Sequence, residues 1–166
     1  TMSVAFRRES DEEHLEPRFE LPIPPGPNLV TARGLKQIQT RHDMVEASLA
    51  GQPSEDERKT VLREARYWRQ RLASAQLAPR PDGNRVAIGT RVSFAQDGRA
   101  RTVDVVGHDE SEPAAGRIAF TAPLARALLD AQVGDEIEFA GSNKLLIIAS
   151  IQISADADDP LLNAPR

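Results

Sequence analysis

Two heptad runs, separated by a stretch that no helix crosses, dominate residues 31–78. Leu35, Ile38, His42, Val45 and Leu49 step by 3, 4, 3 and 4; Val61, Ala65, Trp68, Leu72 and Ala75 step by 4, 3, 4 and 3. That spacing keeps one stripe of each helix against a partner helix, as in a coiled coil. Between the runs lies Ala50-Gly51-Gln52-Pro53. Proline lacks an amide donor and clashes with the preceding turn, so the first helix ends there. Ser54 then offers an N-cap, and Glu57 three residues on completes a capping box. Facing residues of an antiparallel pair have a constant index sum. Leu35 with Ala75, Ile38 with Leu72, His42 with Trp68, Val45 with Ala65 and Leu49 with Val61 all sum to 110. The seam predicts a helical hairpin closing about a tip near Glu55, with a first helix roughly 30 Å long at helical rise. A histidine on such a seam reads as structural, packed against Trp68. Two helices alone bury little surface, so the hairpin needs a body at its base.

Charge divides the 166-residue chain in the same places. Residues 1–30 carry a net −3, residues 31–80 a net +4 and residues 81–166 a net −5, giving −4 overall. That balance excludes a uniform basic coat for nucleic acid. There is no cysteine, which excludes a disulfide scaffold, a thiolate zinc site and cysteine catalysis, and suits a reducing compartment. No apolar run approaches the ~20 residues of a membrane span, and the opening stretch lacks the apolar core of a secretion signal. The expectation is a cytoplasmic protein in four parts. These are an acidic, proline-rich arm at 1–28, the hairpin at 29–80, a C-terminal module at 81–153 and a polar, frayed tail at 154–166.

Pro17, Pro22, Pro24, Pro25 and Pro27 keep the arm extended. Its composition fits a disordered tail. The other reading is a strap laid over a neighbouring module, with Phe6, Phe19, Leu21 and Ile23 as anchors. After a linker at 79–84, strands are expected at 86–88, 91–94, 100–106, 117–121, 136–139 and 144–153, with Asp97-Gly98 turning a hairpin. Pro123 opens a short helix running to Ala131. The fold class is therefore α+β: an antiparallel helical hairpin followed by a small β-sheet module with one short helix.

Conventional catalytic constellations are absent. His14, His42 and His108 lie in three different segments, without metal-ligand spacing. There is no phosphate-binding loop, dinucleotide fingerprint or nucleophile elbow. The hairpin tip is the exception, because Glu55, Asp56 and Glu57 cluster there. Such carboxylates complement the dipole of a first helical turn. They also suit a divalent cation held by oxygen ligands, two of them completing a site supplied mainly by another protein. The basic flanks, Arg33, Lys36, Arg41, Arg58, Lys59, Arg63, Arg66, Arg69 and Arg71, read either as a solvated helix face or as a shaft suited to a negatively lined channel.

Several segments together resemble the Gre family of bacterial transcription elongation factors across about residues 30–153. Val30-Thr31-Ala32-Arg33-Gly34-Leu35 resembles the opening of that family's first hairpin helix, and Arg71–Leu77 its exit from the second. Arg85–Phe94 resembles the start of its C-terminal module, and Val106-Gly107-His108-Asp109-Glu110 its valine-glycine-acid loop. Thr121-Ala122-Pro123-Leu124-Ala125-Arg126-Ala127-Leu128-Leu129 and Val133-Gly134-Asp135-Glu136-Ile137 follow as in the family. The resemblance implies an FKBP-like C-terminal module without isomerase activity, docked on the rim of the secondary channel of RNA polymerase. Asp109, Ala122, Pro123 and Leu124 would make the contact. It implies a hairpin entering that channel, where Glu55 and Asp56, with Glu57 beside them, would help hold a Mg²⁺ shared with the polymerase active site during cleavage of backtracked RNA. The polymerase would be the enzyme and this chain a monomeric accessory factor with no cofactor of its own. RNA and DNA would be met only within the complex.

Two departures stand out. The hairpin is shorter by about ten residues per arm, roughly 15 Å at helical rise, and the family's usual tip string is missing. A short-hairpin group, the Rnk-type regulators, is similar in the C-terminal module and offers the alternative of binding polymerase without stimulating cleavage. A free-standing prolyl isomerase is the third reading. Against it stand the module's few aromatics, Phe94, Phe120 and Phe139.

Overall fold

The Ala50–Pro53 stretch does separate two helices. In the computed structural model, which describes residues 20–139 and 145–158, α1 runs Ala32–Ala50 and α2 runs Glu55–Ser74. Gln52 turns the chain between them with a left-handed φ of 56°. No helix among the described residues is long and apolar enough to cross a membrane.

Two compact units are present. Among the described residues, one holds Thr40–Ala73 and residues 20–25; the other holds Gly26–Gln39 and the chain from Ser74 onward. Within the first, the helices run antiparallel. The Arg41 guanidinium lies 5.2 Å from the Trp68 ring centroid, Arg69 forks onto Glu46 at 2.6 and 2.9 Å, and Ser48 shares a cleft with Thr60 and Val61. The apolar stripe faces inward. Ala65 is buried, and His42, Val45, Leu49, Val61, Trp68 and Leu72 are half-buried. His42 finds its polar partners on its own helix, Asp43 at 3.0 Å and Glu46 at 3.5 Å. Trp68 also meets Tyr67 edge-on at 4.9 Å. Of the four expected arm anchors, Phe6 and Phe19 lie outside the described residues. Leu21 and Ile23 are not buried anchors, being 40% and 43% exposed.

The second unit begins with a feature that heptad spacing conceals. β1 (Asn28–Val30) pairs in parallel with β2 (Ala75–Leu77), Asn28 opposite Ala75 and Val30 opposite Leu77. Ala75 is therefore a strand residue and not the last seam position. α2 stops at Ser74, whose hydroxyl accepts from the Asn28 side-chain amide at 3.2 Å, and the backbone beyond it pairs with β1. Buried Ile38 and half-buried Leu35 belong to this unit with the start of α1. The division between the two units thus runs through α1 and the end of α2.

Five further strands form one sheet: β3 (Thr90–Gln96), β4 (Arg99–Val106), β5 (Arg117–Ala119), β6 (Glu136–Glu138) and β7 (Leu145–Ile153). Their order is β5-β4-β3-β7-β6, antiparallel except for the parallel β4–β5 pair. Asp97 and Gly98 turn the β3–β4 hairpin, both at positive φ, as a tight two-residue turn needs. One face carries Val92, Phe94, Val103, Val105, Leu146 and Ile148, packed with Ala125 and Leu128 of α3 (Pro123–Leu128). Each of the Val, Leu, Ile and Phe side chains contributes roughly 1.5–3 kcal/mol when fully buried. β7 lies inside the sheet, yet Leu145 and Ile147 on its other face are each 43% exposed. Its continuous apolar run is therefore a half-buried alternating strand.

Three expectations are corrected here. Residues 86–88 are not a strand. Val86 bonds instead to the chain after α3 (Val86 N–H to Ala131 O, 2.9 Å; Asp130 N–H to Val86 O, 2.8 Å), and Gly89 then turns with φ +94°. α3 stops at Leu128, because Asp130 adopts a left-handed φ of 69°. The tail is not frayed at its start: Ser154 and Asp156 are buried within and beside a 3₁₀ turn, Ala155–Ala157. Asp156 accepts from Arg117 at 3.0 and 3.4 Å, and that hydrogen bond holds the guanidinium above its usual basic range. Residues 159–166 of the expected tail lie outside the described residues.

Candidate functional site

The parallel β4–β5 pair brings two segments side by side. Val106 pairs with Ala119, and both strands end there in the same direction. One continues into Gly107 and a 3₁₀ turn, His108–Glu110; the other continues through Phe120 and Thr121 to Ala122 and α3. The Phe120 amide donates to Val106 O at 2.8 Å, and the Ala122 amide to Ala119 O at 2.9 Å, closing the turn. Asp109, Ala122, Pro123 and Leu124 thus all lie in the two segments leaving one end of this pair. Asp109 and Ala122 are half-buried. Leu124 is half-buried against the core. Pro123 is exposed at the first position of α3, where its missing amide costs nothing.

The first segment is held by a residue that sequence reasoning passed over. Glu110 is 4% exposed. Its carboxylate accepts from the Thr31 amide at 3.1 Å, from the Thr31 hydroxyl, and from the Gly107 amide at 3.0 Å. Thr31 in turn caps α1, its hydroxyl accepting from the Gly34 amide at 3.0 Å. Glycine is required on both sides of this carboxylate. A Cβ on Gly34 would overlap the Glu110 side chain, and one on Gly107 would come within 2.6 Å of Leu29 O. Two quoted motifs, Val30–Leu35 and Val106–Glu110, therefore meet at one buried acid. The available signal was Thr31 three residues before Gly34 (a cap position) and a second acid beside Asp109.

At the tip, Glu55, Asp56 and Glu57 form the first turn of α2 and are exposed. Glu57 is committed to the capping box: Ser54 N–H donates to Glu57 Oε1 at 3.1 Å, and Glu57 N–H to Ser54 Oγ at 3.3 Å. Ser54→Ala should lower stability to urea by about 1 kcal/mol, the usual worth of a serine cap. An unchanged midpoint would show that the box contributes nothing. Glu55 and Asp56 have no side-chain partner among the described residues. No group of three or more candidate metal ligands occurs among those residues.

The basic flanks are not one solvated face. Arg33 approaches Asp156 at 3.8 Å, Arg66 binds Glu20, and Arg69 binds Glu46. Arg71 is buried, 6.0 Å from the Tyr67 ring. Lys36, Arg41, Arg58 and Lys59 are exposed, and Arg63 is half-buried. The C-terminal unit also has a cleft of about 450 Å³ between Leu29, Pro79, Arg85, Ile88 and Leu129, and its only aromatic lining is Phe120.

The corner lies within a stretch that matches a known family profile. The family profile described as "Transcription elongation factor, GreA/GreB, C-term" matches residues 80–152. The chain is 34% identical over 91 residues to transcription elongation factor GreA of Oenococcus oeni, covering 52% of this chain and 56% of that protein. It is 37% identical over 83 residues to GreB of Neisseria meningitidis, covering 48% and 51%. It thus spans about half the length of the curated relatives it matches. Among solved structures, Gfh1 of Thermus thermophilus aligns at a TM-score of 0.38 and 16% identity, covering 76% of this chain and 99% of that one. A GreA/GreB factor from Nitrosomonas europaea aligns at 0.38 and 18%, covering 75% and 98%. Over residues 80–152, the chain is thus similar to the C-terminal part of the GreA/GreB transcription elongation factors.

Proposed function

We propose that this chain binds RNA polymerase at its secondary channel through the corner made by residues 107–110 and 119–124, and acts there on transcription elongation. One observation carries the reading. The two family-like segments leave the same end of the β4–β5 pair, one fixed by buried Glu110 and the other presenting exposed Pro123. The chain acts as an accessory factor in the cytoplasm, and any RNA cleavage is chemistry of the polymerase active site. Glu55 and Asp56 contribute two carboxylates at most. That is enough to complete a Mg²⁺ site whose other ligands belong to the polymerase, and too few to hold the ion alone.

A second reading, binding without cleavage, is favoured by the helix lengths. α1 and α2 have 19 and 20 residues, roughly 30 Å of rise, and Glu57 is spent on the cap. A backtracked complex assayed with wild type and with Glu55→Ala/Asp56→Ala separates the two. Stimulated cleavage that falls about tenfold or more in the double variant supports metal assistance by the tip. Binding without stimulation by wild type selects the second reading. Equal stimulation by both proteins removes the tip from the mechanism.

A further inference from the structure

Leu21-Pro22-Ile23-Pro24-Pro25 leaves its backbone little choice. Each proline ring fixes φ near about −65°. Leu21, Ile23 and Pro24 each precede a proline, which pushes them out of the helical region into extended or polyproline II geometry. Residues 20–27 accordingly contain no helix and no strand. Gly26 ends the run with a left-handed φ of 85°. Polyproline II has three residues per turn, so Pro22 and Pro25 share one edge about 9 Å apart, Leu21 and Pro24 share a second, and Ile23 lies on the third. Pro24 is half-buried, whereas Leu21, Pro22, Ile23 and Pro25 are exposed. The Pro22–Pro25 edge and Ile23 are therefore open to solvent. The segment starts from a fixed point. Glu20 forks onto Arg66 of α2, with Oε1 2.5 Å from Nε and Oε2 2.8 Å from Nη2.

We propose that residues 21–25 are a docking segment, a polyproline II ligand for a groove lined by aromatic side chains on RNA polymerase. The choice of polymerase rests on the function proposed above; the chemistry of the groove rests on the segment. Prolines three apart with an apolar residue between them, here Pro22, Ile23 and Pro25, are what aromatic-lined grooves take. A second pair with the same spacing, Pro24 and Pro27, has left-handed Gly26 between its members, which breaks the polyproline twist. The structure thus selects the first pair. A sheet edge is the wrong partner, because Pro22, Pro24 and Pro25 have no amide to donate to it. The prolines also set the conformation before binding, so little ordering is lost on contact. The corner at 107–110 and 119–124 remains the first contact with polymerase, and this segment adds a second.

Titrating polymerase with the full chain, with Pro22→Ala/Pro25→Ala and with Pro123→Asp tests this. The alanine pair should bind about three- to tenfold more weakly than wild type. It should keep the amide spectrum of the folded protein, because both prolines are exposed. Ile23→Ser leaves every proline in place and should also weaken binding. Replacing Ile23 by p-benzoylphenylalanine and irradiating the complex should give an adduct on polymerase at a site bearing Phe, Tyr or Trp. No adduct, or one mapped away from any aromatic side chain, overturns the groove. Wild-type affinity in both the alanine pair and Ile23→Ser overturns the docking segment and leaves these residues a spacer. If Pro123→Asp still weakens binding in that case, the polymerase reading stands without the second contact. No binding by wild type overturns the polymerase reading and the docking segment together.

Discussion

Glu110→Ala should lower the unfolding free energy by about 3–5 kcal/mol, a large part of the ~5–15 kcal/mol that holds a typical domain. The carboxylate is buried and accepts from the Thr31 amide, the Thr31 hydroxyl and the Gly107 amide. Removing it leaves buried donors without an acceptor, each costing about 1–3 kcal/mol. It also frees the cap residue of α1 from the sheet module. Glu110→Gln keeps one acceptor oxygen and should lose less, about 1–2 kcal/mol. Gly34→Ala attacks the same contact from the helix side, because its Cβ would overlap the Glu110 side chain. Urea unfolding of the three variants checks the order. A loss under about 1 kcal/mol for Glu110→Ala would mean that the carboxylate is not the tie between these motifs.

Pro123→Asp should weaken polymerase binding by about 30-fold or more, the ~2 kcal/mol of an interface hot spot, with the fold intact. Pro123 is exposed and contributes no amide to α3. An aspartate at the first helical position is compatible with the helix dipole, so stability should change by no more than about 0.5 kcal/mol. Titration of polymerase against both proteins reads the affinity, and urea unfolding guards against misfolding. Unchanged affinity would move the contact away from this corner.

What the sequence disclosed follows from which interactions are local. The Ser54–Glu57 box lies within one turn, and Gly51-Gln52-Pro53 breaks a helix whatever surrounds it. The alternation in β3 and the Asp97-Gly98 turn are equally local. Ala75 was misread because its heptad spacing continues past the point where long-range pairing with Asn28 takes over. Residues 86–88 look like a strand, but their backbone groups are claimed by Asp130 and Ala131. Asp156 sits in a polar stretch that reads as solvated, and only Arg117, thirty-nine residues earlier, makes it a buried partner. At the corner, Asp109, Ala122, Pro123 and Leu124 are singled out by resemblance alone. Glu110 was not, since its role depends on Thr31, seventy-nine residues away. At the tip, the sequence singles out Glu55, Asp56 and Glu57, and the geometry shows only the cap role of Glu57.

Amide hydrogen exchange of the full chain, free and bound to RNA polymerase, measures the docking surface without any substitution. The account predicts that polymerase slows exchange in residues 107–110 and 119–124 together. Slowing confined to the open β7 face around Leu145 and Ile147, with that corner exchanging as in the free protein, would contradict it.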